Sequence, residues 1–243
     1  YTFTSNIKSP YMIFSSYTDL VYFFISAEDF RSLFGFQLVE DLENLLHSGL
    51  FKAAYTGNLN LFKGLALKHA ENEGIGVTEA IKKLTLEDGR GSLHFAAAGG
   101  SLKVCKYLLE ELKLDVDSKD GEGSTPLCQA SVKGHFDMVR YLLEKGANPD
   151  ASNELNVTPL HYAAMSGETK IITLLLSRGV RIDVVTSLGT ALQFAASHGQ
   201  QDAVKVLLDH GANPNAVNSQ GMLRPLISAI FVKAWECMKL LLQ

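Results

Sequence analysis

The chain has 243 residues, 47% hydrophobic and 20% charged, so it is too apolar to be disordered and long enough for one large domain or two small ones. Lys plus Arg number 22 against 26 Asp plus Glu, and the net charge of −4 is spread along the chain. That balance argues against a dedicated nucleic-acid binder, which needs a basic stripe to displace counterions from phosphates.

The first 36 positions hold half of the aromatic residues. Within them Leu20–Ile25 is strongly apolar, but Asp19 interrupts the run, which falls short of the roughly 18–20 residues that a membrane span needs. No basic segment beyond Lys8 precedes it and no small-x-small cleavage site follows, so a signal peptide is not expected either. Residues 1–25 therefore read as an aromatic-rich leader, disordered or mis-assigned, and the opening Tyr1 reads as a fragment or a doubtful start. Next, Ser26-Ala27-Glu28-Asp29 forms a capping box. Phe30, Leu33, Phe34, Leu38, Leu42, Leu45 and Leu46 follow at three- and four-residue steps, which predicts an amphipathic capping helix over 26–47.

From residue 48 onward the chain repeats itself. Leu93, Leu127, Leu160, Leu192 and Leu226 recur every 32 to 34 residues, and two other markers keep the same step: Gly100, Gly134, Gly167 and Gly199, and the Leu-Leu pairs beginning at Leu108, Leu142, Leu175, Leu207 and Leu241. Each unit reads as a turn followed by two short helices. In the third, Asp120-Gly121-Glu122-Gly123 is turn chemistry, and Thr125-Pro126 supplies an N-cap and a proline at the first helical position. Gly134-His135 then breaks the first helix, and Gly146 ends the second as a left-handed residue. No unit of this size buries its own apolar stripe, so neighbours must stack.

The segments Thr158-Pro159-Leu160-His161-Tyr162-Ala163-Ala164, Gly91-Ser92-Leu93-His94-Phe95-Ala96-Ala97 and Leu207-Leu208-Asp209-His210-Gly211-Ala212-Asn213 resemble the ankyrin repeat. The resemblance covers residues 48–243 and implies an all-α repeat solenoid: about six stacked helix-turn-helix units with β-turn or hairpin fingers, behind the N-terminal helix. The units are a degenerate first one with an insertion (48–87), then 88–119, 120–152, 153–185, 186–217 and an incomplete 218–243. The insertion falls at Glu71 to Glu87, and the fifth unit lacks one turn residue. The sixth places Ile227, Ile230, Phe231 and Trp235 where an end cap needs polar residues, so the natural protein is expected to continue beyond Gln243. The repeats are also similar to those of plant ankyrin proteins that carry a tetratricopeptide domain after the array.

Little in the sequence carries chemistry. His94, Cys128 and His161 share one position in consecutive units, but helices packed about 8–10 Å apart do not bring them to the roughly 3 Å of a nucleophilic dyad. The resemblance gives His94 and His161 a structural role, tying neighbouring loops through backbone hydrogen bonds. His135 reads as structural too, and His198 and His210 as exposed without metal-ligand spacing. Cys105, Cys128 and Cys237 lie inside apolar helical patterns, which fits a reducing, intracellular compartment, cytoplasmic or nuclear. Asp115, Asp117 and Asp120 read as solvated turn charges. No phosphate loop is present, and no cofactor, metal, catalytic residue or small-molecule substrate is expected.

What remains is the concave surface on which ankyrin partners usually bind. By position, its exposed candidates are Arg90 and Ala98 in the second unit, and Glu122, Ser124, Val132 and Lys133 in the third. The fourth offers Glu154, Val157 and Met165, and the fifth Ser187, Leu188, Ser197 and His198. The expected function is a non-enzymatic scaffold or adaptor that binds a protein partner there, without nucleic acid and without a membrane. The alternatives are an adaptor tethered to a membrane by the leader, or a chaperone-associated adaptor if a tetratricopeptide domain follows.

Overall fold

A leucine at the second position of each first helix and a leucine pair towards the end of each second helix give both helices an apolar face, and the fold follows from burying those faces between neighbours. The computed structural model describes residues 36–221 and 223–243. The leader 1–25 and residues 26–35 of the predicted capping helix lie outside them. Helix α1 spans Phe36–Thr56, crossing without interruption the 47/48 boundary that the sequence pattern suggests. The chain divides into a unit ending at Ser48 and a unit Gly49–Gln243, and the latter is the array.

In the array, α2 (Leu59–Glu73) and α3 (Val77–Lys83) precede five helix pairs. These are α4 (Ser92–Ala98) with α5 (Leu102–Lys106), α6 (Pro126–Val132) with α7 (Phe136–Glu144), α8 (Pro159–Ser166) with α9 (Thr169–Ser177), α10 (Ala191–Ser197) with α11 (Gln201–Asp209), and α12 (Pro225–Phe231) with α13 (Trp235–Leu241). First helices α4, α6, α8, α10 and α12 pack in chain order in one layer, and α7, α9, α11 and α13 in a second. Among the described residues no strand forms, and Thr85 and Gly91 make an isolated antiparallel bridge. The architecture is the expected all-α solenoid. Its core is a continuous stripe in which Leu93, Leu127, Leu160 and Leu192 alternate with Leu108, Leu142, Leu175 and Leu207, all buried. Ala97, Ala164 and Ala196 are wholly covered, because a small residue there lets the next first helix approach closely.

The insertion has structure of its own. Helix α2 runs on to Glu73 before Gly74 stops it, and α3 then buries Ala80 and Ile81. The second unit carries one residue more than the third between its leucine pair and the following turn. The helix absorbs it by continuing from α5 into a π turn, Tyr107–Glu111. Lys113 takes the left-handed conformation after this helix (φ 53), a place that Gly146 fills in the next unit (φ 91). A side chain there costs about 1 kcal/mol relative to glycine. Lys113→Gly is therefore expected to raise unfolding stability by roughly 0.5–1 kcal/mol in urea denaturation, and an unchanged or lower midpoint would contradict it.

Candidate functional site

The fingers that edge the concave side are built by turn side chains bonding their own backbone. Asp88 accepts the N–H of Arg90 at 3.1 Å, Asp120 that of Glu122 at 3.0 Å, and Asn153 that of Leu155 at 3.0 Å, while the Thr186 hydroxyl accepts that of Leu188 at 3.0 Å. Adjacent fingers are joined through backbone bonds: Gly121 N–H to Asp88 O at 2.7 Å, Glu154 N–H to Glu122 O at 3.0 Å and Ser219 N–H to Thr186 O at 3.1 Å.

Three further ladders fix the fingers against the helices. In the first, the neutral ring of His161 accepts the Thr158 N–H at Nδ1 (3.2 Å), which leaves Nε2–H to donate to Val184 O (3.1 Å). His94 does the same between Gly91 N–H and Ser124 O, and Gln193 between Thr190 N–H and Leu223 O. Burial pushes the pKa of His161 down to about 4 and lowers that of His94. Cys128 holds this position in the third unit and bonds only locally, receiving the Thr125 hydroxyl at 3.6 Å. There the Tyr162 hydroxyl bridges Ser124 Oγ and Asn153 Nδ2, each at 3.4 Å.

In the second ladder, the residue before the second helix donates, in three units, to the last turn of the previous unit's first helix. Ser101 Oγ donates to Tyr55 O at 2.6 Å, His135 Nε2 to Ala98 O at 2.9 Å, and Gln200 Nε2 to Met165 O at 3.1 Å. Glu168 occupies this position in the fourth unit and a carboxylate has no proton to give, so Ser166 Oγ donates to Val132 O at 2.9 Å instead. Ser166→Ala is expected to cost about 1 kcal/mol by orphaning that carbonyl, and Ser166→Ala with Glu168→Gln to recover most of it. Urea denaturation of the pair as a double-mutant cycle checks this, and purely additive losses would contradict it.

The third ladder corrects the reading of the turn carboxylates as merely solvated. Asp117 accepts the Asn148 N–H at 3.0–3.1 Å, Asp150 the Arg181 N–H at 3.3–3.4 Å and Asp183 the Asn213 N–H at 3.1–3.3 Å. Partial burial nevertheless raises the Asp117 pKa.

Against this frame the thirteen groove positions separate. Glu122, Lys133, Glu154, Ser187, Leu188 and His198 are exposed, and Arg90, Val132, Met165 and Ser197 half-buried. Ala98, Ser124 and Val157 are buried, contrary to expectation. Ser124 and Val157 precede the first helices and are enclosed where fingers meet, and Ala98 lies under the close approach between the first two units. One residue absent from that set, Leu155, is 64% exposed at the tip of the fourth finger, matching Leu188 at 66% on the fifth. The alignment of Asn153 with Thr186 as turn acceptors was the available sequence signal, since each leucine stands two residues later. The Arg90 guanidinium pairs with Asp88 at 2.7 Å and lies 5.2 Å from the Phe95 ring centre. Arg90 and Phe95 line a pocket of about 180 Å³ with Tyr55, His94, Ala98, Gln129 and Lys133, so finger and first-helix residues share one surface.

The chemistry of the array is otherwise quiet. Cys105, Cys128 and Cys237 are free and buried, and burial pushes the Cys105 thiol up to about 12, away from nucleophilic use. Among the described residues no group of three or more His, Cys, Asp or Glu is arranged to hold a metal ion, and no helix is long and apolar enough to cross a membrane. Exposed His198 and His210 bond the carbonyls of Phe194 and Val206.

The family model for ankyrin repeats in three copies matches at residues 50–153, 93–187, 145–218 and 160–243. The chain belongs to the ankyrin-repeat family. The ankyrin array is similar to the crystal structure of the human ASB11 ankyrin repeat domain, with a TM-score of 0.65 and 32% identity over 79% of this chain and 81% of that one. It is 45% identical over 62 residues to the 26S proteasome non-ATPase regulatory subunit 10 of Dictyostelium discoideum, covering 26% of this chain and 27% of the relative. Mouse protein phosphatase 1 regulatory subunit 27 is 33% identical over 92 residues, 36% of this chain and 59% of the relative. The chain thus spans less than two thirds of either curated relative. Ankyrin repeats are in general non-enzymatic modules of protein–protein interaction.

Proposed function

We propose that this chain is a non-enzymatic scaffold or adaptor that binds a protein partner in the concave groove between its fingers and first helices, inside the cell. The observation that carries this reading is the contrast between the two sides of each finger. The backbone and turn acceptors are consumed by ladders that make the frame rigid, while Leu155, Leu188, Glu122 and Glu154 project from it. A pre-formed surface of this kind binds without the ordering cost that a flexible one bears. Likeness to a proteasome regulatory subunit and a phosphatase regulatory subunit supports a regulatory partner over a substrate.

A photo-crosslinking residue at Leu188, in the groove, is compared in cells with one at Thr173, on the outer face of α9. Discrete protein adducts from position 188 and none from 173 are expected. Adducts from 173 alone would move the binding face to the outer layer.

A further inference from the structure

Building on the groove reading, we infer that the partner segment is an extended peptide with basic residues followed by apolar ones, lying across the fingers of the third to fifth units. The fingertips change character along the array. Glu122 on the third finger and Glu154 on the fourth are exposed and make no ion pair among the described residues. Leu155 on the fourth and Leu188 on the fifth are the most exposed leucines between Gly49 and Leu241. Arg90 on the second finger spends its ion pair on Asp88 at 2.7 Å and acts on Glu122 only through its field, so Glu122 is partly screened and Glu154 is the more open carboxylate. Lys133, at the far end of α6, lines the pocket beside Arg90 and makes no ion pair with Glu122 or Glu154 among the described residues. The acidic section is therefore open to an incoming cation, and the leucines beside it offer an apolar anchor with a polar rim.

The spacing of the units sets the register of the occupant. Packed helices sit about 8–10 Å apart, and a polyproline II chain turns once in three residues with a rise of about 3.1 Å per residue, so side chains three residues apart share a face and fall on successive units. The fourth finger presents Glu154 and Leu155 side by side. A matching segment reads Arg-x-x-Arg-Leu-x-x-Leu: one arginine on Glu122, the next on Glu154 beside a leucine on Leu155, and a last leucine on Leu188. Main-chain amides of the peptide need no ladder partner in this arrangement, since they remain in water at the groove mouth.

The test is fluorescence anisotropy with a labelled Arg-Ser-Ser-Arg-Leu-Ser-Ser-Leu peptide and its counterpart with Glu in place of both Arg. The basic peptide is expected to bind at least tenfold more tightly at 50 mM salt, with the margin shrinking at 500 mM. Glu122→Lys with Glu154→Lys should reverse the preference, and Leu155→Ala with Leu188→Ala should weaken the basic peptide about tenfold or more. All four positions are exposed, so unchanged thermal midpoints should accompany these changes. Equal affinity for the two peptides, or indifference to the leucine pair, would overturn the inference. Adducts from position 188 in cells together with no binding of either peptide would overturn this chemistry while leaving the groove in place; adducts from 173 alone would remove the groove itself.

Discussion

Replacing His161 by alanine is expected to lower unfolding stability by about 3 kcal/mol, and replacing it by glutamine by less than about 1. The alanine variant orphans two buried backbone groups, the Thr158 N–H and the Val184 carbonyl, each costing about 1–3 kcal/mol, and leaves a void beside Phe194, whose ring centre is 5.0 Å from the imidazole. Glutamine carries an acceptor and a donor at its tip, and Gln193 already spans Thr190 N–H and Leu223 O at 2.8 and 2.6 Å in the next unit. Urea denaturation of the two variants separates this account from one in which the ring matters only by its volume, since glutamine would then lose nearly as much as alanine.

The same bonds give a pH dependence. His161 is buried with Nδ1 already accepting a proton donor, so protonating it would set one N–H against another. Its pKa of about 4 in the folded chain lies below the roughly 6.5 of a free histidine, so the unfolded chain binds the proton more readily. The stability contribution is full above about pH 6.5 and is lost as pH falls through 4, amounting to about 3 kcal/mol for His161, with His94 acting in the same direction. In His161→Gln the fall in stability over that window should be visibly shallower than in the parent. Identical profiles would show that other groups govern the acid response.

Much of this array is legible in the sequence because its physics is periodic. Leu93, Leu127, Leu160 and Leu192 mark the buried stripe, and the Thr-Pro and glycine positions mark helix starts and stops, so one unit read correctly gave five. The groove was less legible, since exposure at a finger depends on how the neighbouring finger packs. Ser124 and Val157 look like their solvent-facing neighbours in sequence, yet the joint between fingers encloses them. Turn carboxylates misled for the same reason. Nothing near Asp117 in sequence reveals that Asn148, 31 residues later, presents its N–H to it. The unit-specific substitutions, Tyr162 bridging past Cys128 and Ser166 standing in for Glu168, are compensations between neighbours, and a pattern averaged over units hides them.

Gly99→Ala is expected to destabilise the array by about 3 kcal/mol or more, although its backbone (φ −90, ψ −3) suits any residue. The obstacle is the chain beside it. A methyl group on Gly99 would lie on the Tyr55 carbonyl oxygen and within 2.6–2.8 Å of the Tyr55 carbonyl carbon and Cα. These are backbone atoms and cannot rotate aside as a side chain would. Relief requires the end of α1 to withdraw, which stretches the 2.6 Å bond from Ser101 Oγ to Tyr55 O and parts the Phe51 and Phe95 rings, stacked at 4.8 Å. The same register position holds Lys133, Ser166, His198 and Val232 in the other units, so the demand for glycine comes from α1 and not from the repeat. Lys133→Ala at the equivalent site should be within about 0.5 kcal/mol of the parent, as an exposed substitution. Urea midpoints measured on both variants decide the matter: a Gly99→Ala loss under about 1 kcal/mol would mean that α1 does not press against the second unit as closely as this geometry has it.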